Sequence, residues 1–318
     1  MHQTSGQWKL GLLLSLTTAV LWGLLPIALK GLLEYTDPIT IIWFRFAIAG
    51  TFLFAFLAHQ KSLPQLSSLK RYPILFLVSL VILGLLGNYA FYQYGLSYVT
   101  PGSAQVMIQT APMLLLLGGL IVFKERFHTA QWFGLIVFCV GLILFFNQRF
   151  DTFFNTSDEF SIGLFLIFIA GVLWAIYALA QKQLLLHYES EQIMIMIYIA
   201  GIIVFIPNSD ITFVNQLDTL GWVLLIFCGA NTLVAYGAFA EALAHWEASR
   251  VSATLAITPL LTLMFMQLTD YLFPGYMQPE PVNSLSIIGA LLVVAGSAVT
   301  ALSKSKKLES DIKALDTN

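Results

Sequence analysis

Residues 11–30 (GLLLSLTTAVLWGLLPIALK) and 163–182 (GLFLIFIAGVLWAIYALAQK) are two versions of one helix. They align without gaps at an offset of 152, with eight of twenty positions identical. Each run is apolar and long enough to cross roughly 30 Å of hydrocarbon. The duplication continues: at an offset of 147, NYAFYQYGL from Asn88 overlies AYGAFAEAL from Ala235. This pairs Tyr89 with Tyr236, Leu96 with Leu243 and, further on, Pro112 with Pro259. Near the end of each half stands a glycine pair seven residues apart, Gly134/Gly141 and Gly289/Gly296. Seven residues are about two helical turns, so each pair makes a smooth strip for a close neighbour.

Composition places both halves in a membrane. The chain is 58% hydrophobic and 10% charged, against about 25% charged residues in soluble domains. The charge pattern gives no basic face for nucleic acid. Cys139 and Cys228 lie in apolar segments and read as core residues rather than a disulfide or metal site. The first apolar run is too long for a signal-peptide core and reads as a retained helix.

Ten spans are expected, near 10–32, 39–59, 73–95, 102–123, 130–147, 161–183, 191–207, 217–241, 250–272 and 284–303. With the N-terminus inside, twelve of the fifteen Lys and Arg residues fall on the cytoplasmic side, the bias that the positive-inside rule demands. Both termini are then cytoplasmic. Five spans per half is odd, so the second half enters the membrane inverted. The expectation is an all-α integral membrane protein of two inverted five-helix repeats, 1–150 and 151–303, followed by a tail at 304–318. Such a plan is that of a secondary transporter, with its site near the membrane midplane.

Particular pieces carry a resemblance to a known family. They are Leu21-Trp22-Gly23 in the first span, Arg45 within WFRFAIAG, and GLSYVTPGSAQVMIQTAPMLLLL from Gly95. KER at 124–126 follows, and EALAHWEASRVSATLAITPLLTL from Glu241 is the matching stretch of the second half. In their order and spacing the chain resembles the EamA-type members of the drug/metabolite transporter superfamily over nearly its full length. One departure stands out: Glu125 lies thirteen residues after Pro112, whereas Leu272 holds that position after Pro259, before a long loop from Phe273 to Pro281. The resemblance implies a ten-helix exporter of small metabolites such as amino acids, in a bacterial inner membrane.

Polar groups inside spans cost about 2.5–3.5 kcal/mol when charged and normally face the bundle interior. Several sets share one helical face: Asn88, Tyr89 and Tyr92; Gln105 and Gln109; Trp174, Tyr177 and Gln181; Asn231, Thr232 and Tyr236; Thr254 and Thr258. One reading makes Trp22, Asn88, Tyr89, Tyr92, Gln109, Trp174, Tyr177, Asn231, Tyr236 and Thr258 the lining of a substrate cavity. The other makes them packing contacts between helices. Pro112 and Pro259 each remove a helical hydrogen bond and are hinge candidates. Arg45 either snorkels to the interface or faces the cavity as an anion partner. Glu241 is the candidate proton-coupling carboxylate, with an interfacial role as its alternative.

The sequence carries no H-E-x-x-H, phosphate loop or nucleophile elbow. No metal or cofactor is expected. The partners implied are a small-molecule substrate and the bilayer, with no nucleic acid, and the chain is a monomer or a homodimer. A multi-helix membrane enzyme or sensor is the alternative class.

Overall fold

The structure is a computed structural model that describes residues 7–65, 71–122, 128–149, 158–277, 280 and 282–303. Glu125 and the rest of KER, the 150/151 boundary and the tail from 304 lie outside the described residues.

Twelve α-helices and a few short 3-10 turns account for the described chain, which contains no strand. The first half has α1 (Trp8–Leu32), α2 (Pro38–His59), α3 (Tyr72–Tyr98), α4 (Pro101–Ile108), α5 (Thr110–Val122) and α6 (Thr129–Phe145). The second has α7 (Glu159–Leu184), α8 (Ser190–Phe205), α9 (Thr219–His245), α10 (Ala248–Leu255), α11 (Thr258–Leu272) and α12 (Ser284–Leu302). Among the described residues nine segments are long and apolar enough to cross a membrane, α4–α5 and α10–α11 each counting as one. The tenth, α6, has 17 residues, about 25 Å at 1.5 Å per residue. The fourth and ninth spans, expected as single helices, are each broken in two.

The helices are apolar around their whole circumference because one side meets protein and the other lipid. Helix α2 buries Ile41, Ile42 and Phe46 while Phe52, Phe54 and Phe56 stand exposed. Phe52, Leu83, Ile136, Phe165, Ile203 and Ile226 are all more than half exposed. An apolar surface of that extent marks a membrane-facing belt.

Helix starts explain the acidic residues that cluster at one end. Asp37 accepts from the backbone of Ile39 and Thr40, Asp158 from Ser161, and Asp218 from Gly221. Each satisfies orphan N–H groups at the start of α2, α7 or α9, where the helix dipole favours a carboxylate.

Contacts between spans come in pairs that interchange when the halves are swapped. Helix α3 packs on α7 as α1 packs on α9, and α5 packs on α7 as α11 packs on α1; α2 meets α8, and α6 meets α12. The correspondence holds to single residues. Asn88 Nδ2 donates to the Ala170 carbonyl (2.9 Å), and their repeat mates, Ala235 and Thr18, also meet, the Thr18 hydroxyl donating to the Ala235 carbonyl (3.3 Å). Asn231 Nδ2 donates to the Leu21 carbonyl (2.7 Å). The mates are Gly84 and Leu173, and a Cβ on Gly84 would stand 3.0 Å from the Leu173 carbonyl oxygen. The chain is a pseudo-two-fold dimer of its own halves.

The glycine strips of α6 and α12 lie against each other. A Cβ on Gly134 would come 2.8 Å from the Gly296 carbonyl oxygen, and one on Gly141 equally close to that of Gly289. Backbones at that separation leave room for a hydrogen only, so this seam requires glycine.

Candidate functional site

Residues that meet their own repeat mates sit on the pseudo-two-fold axis, and they mark the centre of the molecule. Tyr89 of α3 and Tyr236 of α9 are mates. The Tyr89 hydroxyl, buried, lies among the side chains of Tyr236 and Thr232 without closing a normal hydrogen bond to either. Gln109 and Ala256 are also mates at the offset of 147, and Gln109 Nε2 donates to the Ala256 carbonyl at 3.3 Å.

That second contact joins the two helix breaks. Gln109 separates α4 from α5, and Ala256-Ile257 separates α10 from α11. At each break the backbone tightens to a three-residue turn, Gln109 N to Val106 O and Ile257 N to Thr254 O. Pro112 and Pro259, three residues after Gln109 and Ala256 respectively, lack the N–H that would continue the ladder. Threonines take up carbonyls there: Thr110 donates to Met107 O (2.8 Å) and Thr258 to Leu255 O (2.6 Å). The Leu255 carbonyl is the one Pro259 leaves without its helical donor. Broken spans are tolerated at membrane depth when side chains re-satisfy the freed groups in this way.

Arg45 stands at the centre of the polar cluster. It is 4% exposed, so it does not snorkel. Its Nε donates to Thr232 Oγ1 on α9 at 3.1 Å, and its guanidinium lies 4.7 Å from the centre of the Tyr89 ring. A desolvated cation–π contact is worth about 2 kcal/mol, against about 2.5–3.5 kcal/mol for a charge at mid-membrane. Phe46 and Tyr198 close the cluster, with Phe46 4.7 Å from Tyr89 and the Tyr198 hydroxyl donating to the Thr232 carbonyl.

The other candidates distribute around this core. Trp22 packs edge-on to Tyr236 (5.4 Å between rings) and on Phe239 (5.8 Å). Tyr92 reaches Gln105 Oε1 of α4 at 3.5 Å, linking the third span to the broken fourth. Thr262, which sequence reasoning passed over, donates to the Gly23 carbonyl (2.9 Å) and fixes α11 to α1. Trp174 and Tyr177 pack together on α7 at 6.4 Å, and the Tyr177 hydroxyl points to Met194 Sδ. Asn88 and Asn231 spend their amide groups on neighbouring backbones, while Asn231 Oδ1 is buried without a partner. Glu241 lies apart: its side chain is 62% exposed and bonds His245 Nε2 at 3.0 Å near the end of α9.

Two further groups seal the end where α3 turns into α4. Lys30 Nζ donates to the carbonyls of Leu96, Ser97 and Val99 (2.8, 2.9 and 3.1 Å), capping the C-terminus of α3. From the long loop of the second half, Glu280 accepts from Ser103 N (3.0 Å), Ser103 Oγ (2.7 Å) and the Thr100 hydroxyl. Desolvation pushes the Glu280 carboxyl above its ordinary value, with its hydrogen bonds and Arg149 opposing. The sequence signal was the length of that loop, not Glu280 itself.

A cleft of about 410 Å³ lies between α11, α12 and the loop, lined by Met264, Met266, Gln267, Asp270, Met277 and Glu280 among others. None of the candidate binding residues lines it. Around the buried Arg45 and Tyr89, the side chains of Trp22, Tyr92, Gln109, Trp174 and Tyr236 are half-buried.

Known proteins align with this architecture. The EamA-like transporter family model matches residues 9–147 and 161–302, once per half. An uncharacterized transporter of Haemophilus influenzae is 37% identical over 293 residues, covering 92% of this chain and 95% of the relative. The uncharacterized inner membrane transporter YhbE of Escherichia coli K12 is 37% identical over 302 residues, covering 95% and 93%. A probable amino-acid metabolite efflux pump of the same organism is 21% identical over 296 residues, covering 89% and 92%. A crystal structure 18% identical in sequence superposes with a TM-score of 0.62 over 92% of this chain and 97% of its own, which shows the shared fold. Two matched repeats and relatives at this identity and coverage leave one assignment: this chain is a multi-pass membrane protein of the EamA-like transporter family.

Proposed function

We propose that this protein is a secondary exporter of small metabolites such as amino acids, working by alternating access around the Arg45–Tyr89–Tyr236 centre. The observation that carries the reading is the meeting of two broken spans on the pseudo-two-fold axis, Gln109 against Ala256. Two related halves, each with a weak point beside the axis, can exchange conformations, and the exchange turns one membrane face of the site into the other. Pro112 and Pro259 then serve as hinges. Trp22, Tyr89, Tyr92, Gln109, Trp174, Tyr177, Asn231, Tyr236 and Thr258 line the path as it opens, and Asn88 holds α3 to α7 beside it. The efflux pump among the relatives supports the amino-acid class, and YhbE supports a bacterial inner membrane. Twelve of fifteen basic residues on one side support cytoplasmic termini.

The test is flux. Purified protein in liposomes should catalyse counterflow of labelled amino acids from a panel, saturably and without consuming them. Absence of flux across the panel, with a chemical product formed instead, would replace the transporter reading with that of a membrane enzyme.

A further inference from the structure

We propose that Arg45 is the docking point for a carboxylate on the transported molecule, an inference that rests on the transporter reading and narrows its substrate to small monocarboxylates. Arg45 is a full charge in the interior of a spanning helix. Only its Nε is used, on Thr232; its terminal amino groups make no hydrogen bond to the described residues. The ion pairs among the described residues, Glu241 with His245 and Glu247 with Arg250, lie near the α9–α10 junction and leave Arg45 without a counter-charge. A guanidinium whose paired N–H groups are free is shaped for a planar two-oxygen anion.

The surroundings add to the match. Two buried polar atoms on the same pair of helices lack partners, the Tyr89 hydroxyl and Asn231 Oδ1. Both are 6% exposed or less, so solvent does not serve them in this state. Tyr89, whose ring lies against the Arg45 guanidinium, offers a donor to a carboxylate seated on Arg45, and Asn231 Oδ1, on the residue preceding Arg45's partner Thr232, is an unused acceptor. The rings of Trp22 and Tyr236 provide the apolar wall. A dianionic phosphate fits poorly, because Lys30 of the first span is committed to three carbonyls at the end of α3. The charge therefore calls for one negative charge, not two.

The experiment compares probes that differ only at the carboxylate. Binding of 3-phenylpropanoate and L-phenylalanine, each against its amide, is measured by isothermal calorimetry and by melting-point shift on the detergent-purified full chain. The wild type should prefer each acid over its amide by at least about tenfold, the loss expected for a hydrogen bond to a charged group. In Arg45→Gln the ratio should fall to near one, and Arg45→Lys should keep a few-fold preference. If Arg45→Gln fails to fold, the wild-type ratio and the lysine variant still decide. Equal binding of acid and amide by the wild type, no binding of either acid, or an undiminished ratio in the variants would overturn the proposal. Amino-acid counterflow that persists unchanged in Arg45→Gln would overturn it while leaving the transporter reading intact.

Discussion

Gly289→Ala tests the seam that joins the last spans of the two halves. A Cβ at this position would lie 2.3 Å from Phe145 N, 2.7 Å from the Gly141 oxygen and 2.8 Å from the Leu144 carbonyl carbon. All three are backbone atoms of α6 or of the residues that end it, and no rotamer change can clear them. The helices must part by roughly 1 Å over a contact that spans two turns, costing about 2–3 kcal/mol at the upper range for overpacking. Alanine returns about 1 kcal/mol of helix propensity, so the net destabilisation is about 1–2 kcal/mol. Gly237 of α9 supplies the control, since nothing stands within 4 Å of a Cβ there. Gly237→Ala should be neutral or stabilising by up to about 1 kcal/mol. Unfolding of the detergent-solubilised protein by heat and by titrated SDS measures both variants against the parent. Equal stability of the two variants would refute the backbone-to-backbone seam and the inverted packing that rests on it.

Loss of the Glu280 contact in Glu280→Ala should speed hydrogen exchange of the Ser103 amide roughly tenfold or more, as for a charge-assisted bond. Because the folded value of Glu280 is raised, docking is strongest below the ordinary carboxylate range and weakens as pH rises through the raised value; Glu280→Gln should remove that pH dependence. Glu241→Gln, at an exposed helix end, should leave substrate exchange between equal pools unchanged. If exchange survives but pH-gradient-driven accumulation is lost, the Glu241–His245 pair carries the coupling proton; loss of exchange would put Glu241 in the substrate path. Reporter fusions at Asn318 and near Thr156 should fall in opposite compartments, and a shared compartment would overturn the inverted orientation.

Much of the frame was legible in the sequence because membrane helices must satisfy their own backbones, leaving long apolar runs and repeat identities in view. The offset of 147 that pairs Pro112 with Pro259 also pairs Gln109 with Ala256, whose contact lies at the axis. The helix breaks were less visible. Proline in a span is compatible with a kink or a full break, and the threonines that absorb the freed carbonyls are common in helices. The burial of Arg45 was not legible either, since an arginine two turns from a helix end can reach the interface or turn inward. Only the neighbours on α3 and α9 decide, and they are distant in the chain. Tyr198 and Glu280 escaped for the same reason: their partners, Thr232 and the start of α4, lie 34 and 177 or more positions away.

The two halves share a scaffold and differ at polar positions of its centre. Counted from the helix caps Asp37 and Glu189, the position of Arg45 in α2 corresponds to Ile197 in α8. Asn231 corresponds to Gly84, so the amide that reaches Leu21 has a bare backbone contact as its counterpart. Tyr89 and Tyr236, by contrast, are matched and meet at the axis. A symmetric frame gives two mirror-related conformations of similar energy, which is what alternating access needs. A symmetric site would hold either two guanidiniums or none, and two unpaired charges in the interior would multiply the cost that one already imposes. In the proposed mechanism, one arginine set against two tyrosines on the axis keeps the interchange of halves while presenting a single positive charge to the ligand. Under the proposed docking role, the asymmetry at Arg45 is the feature that gives a duplicated scaffold a site with a preferred charge.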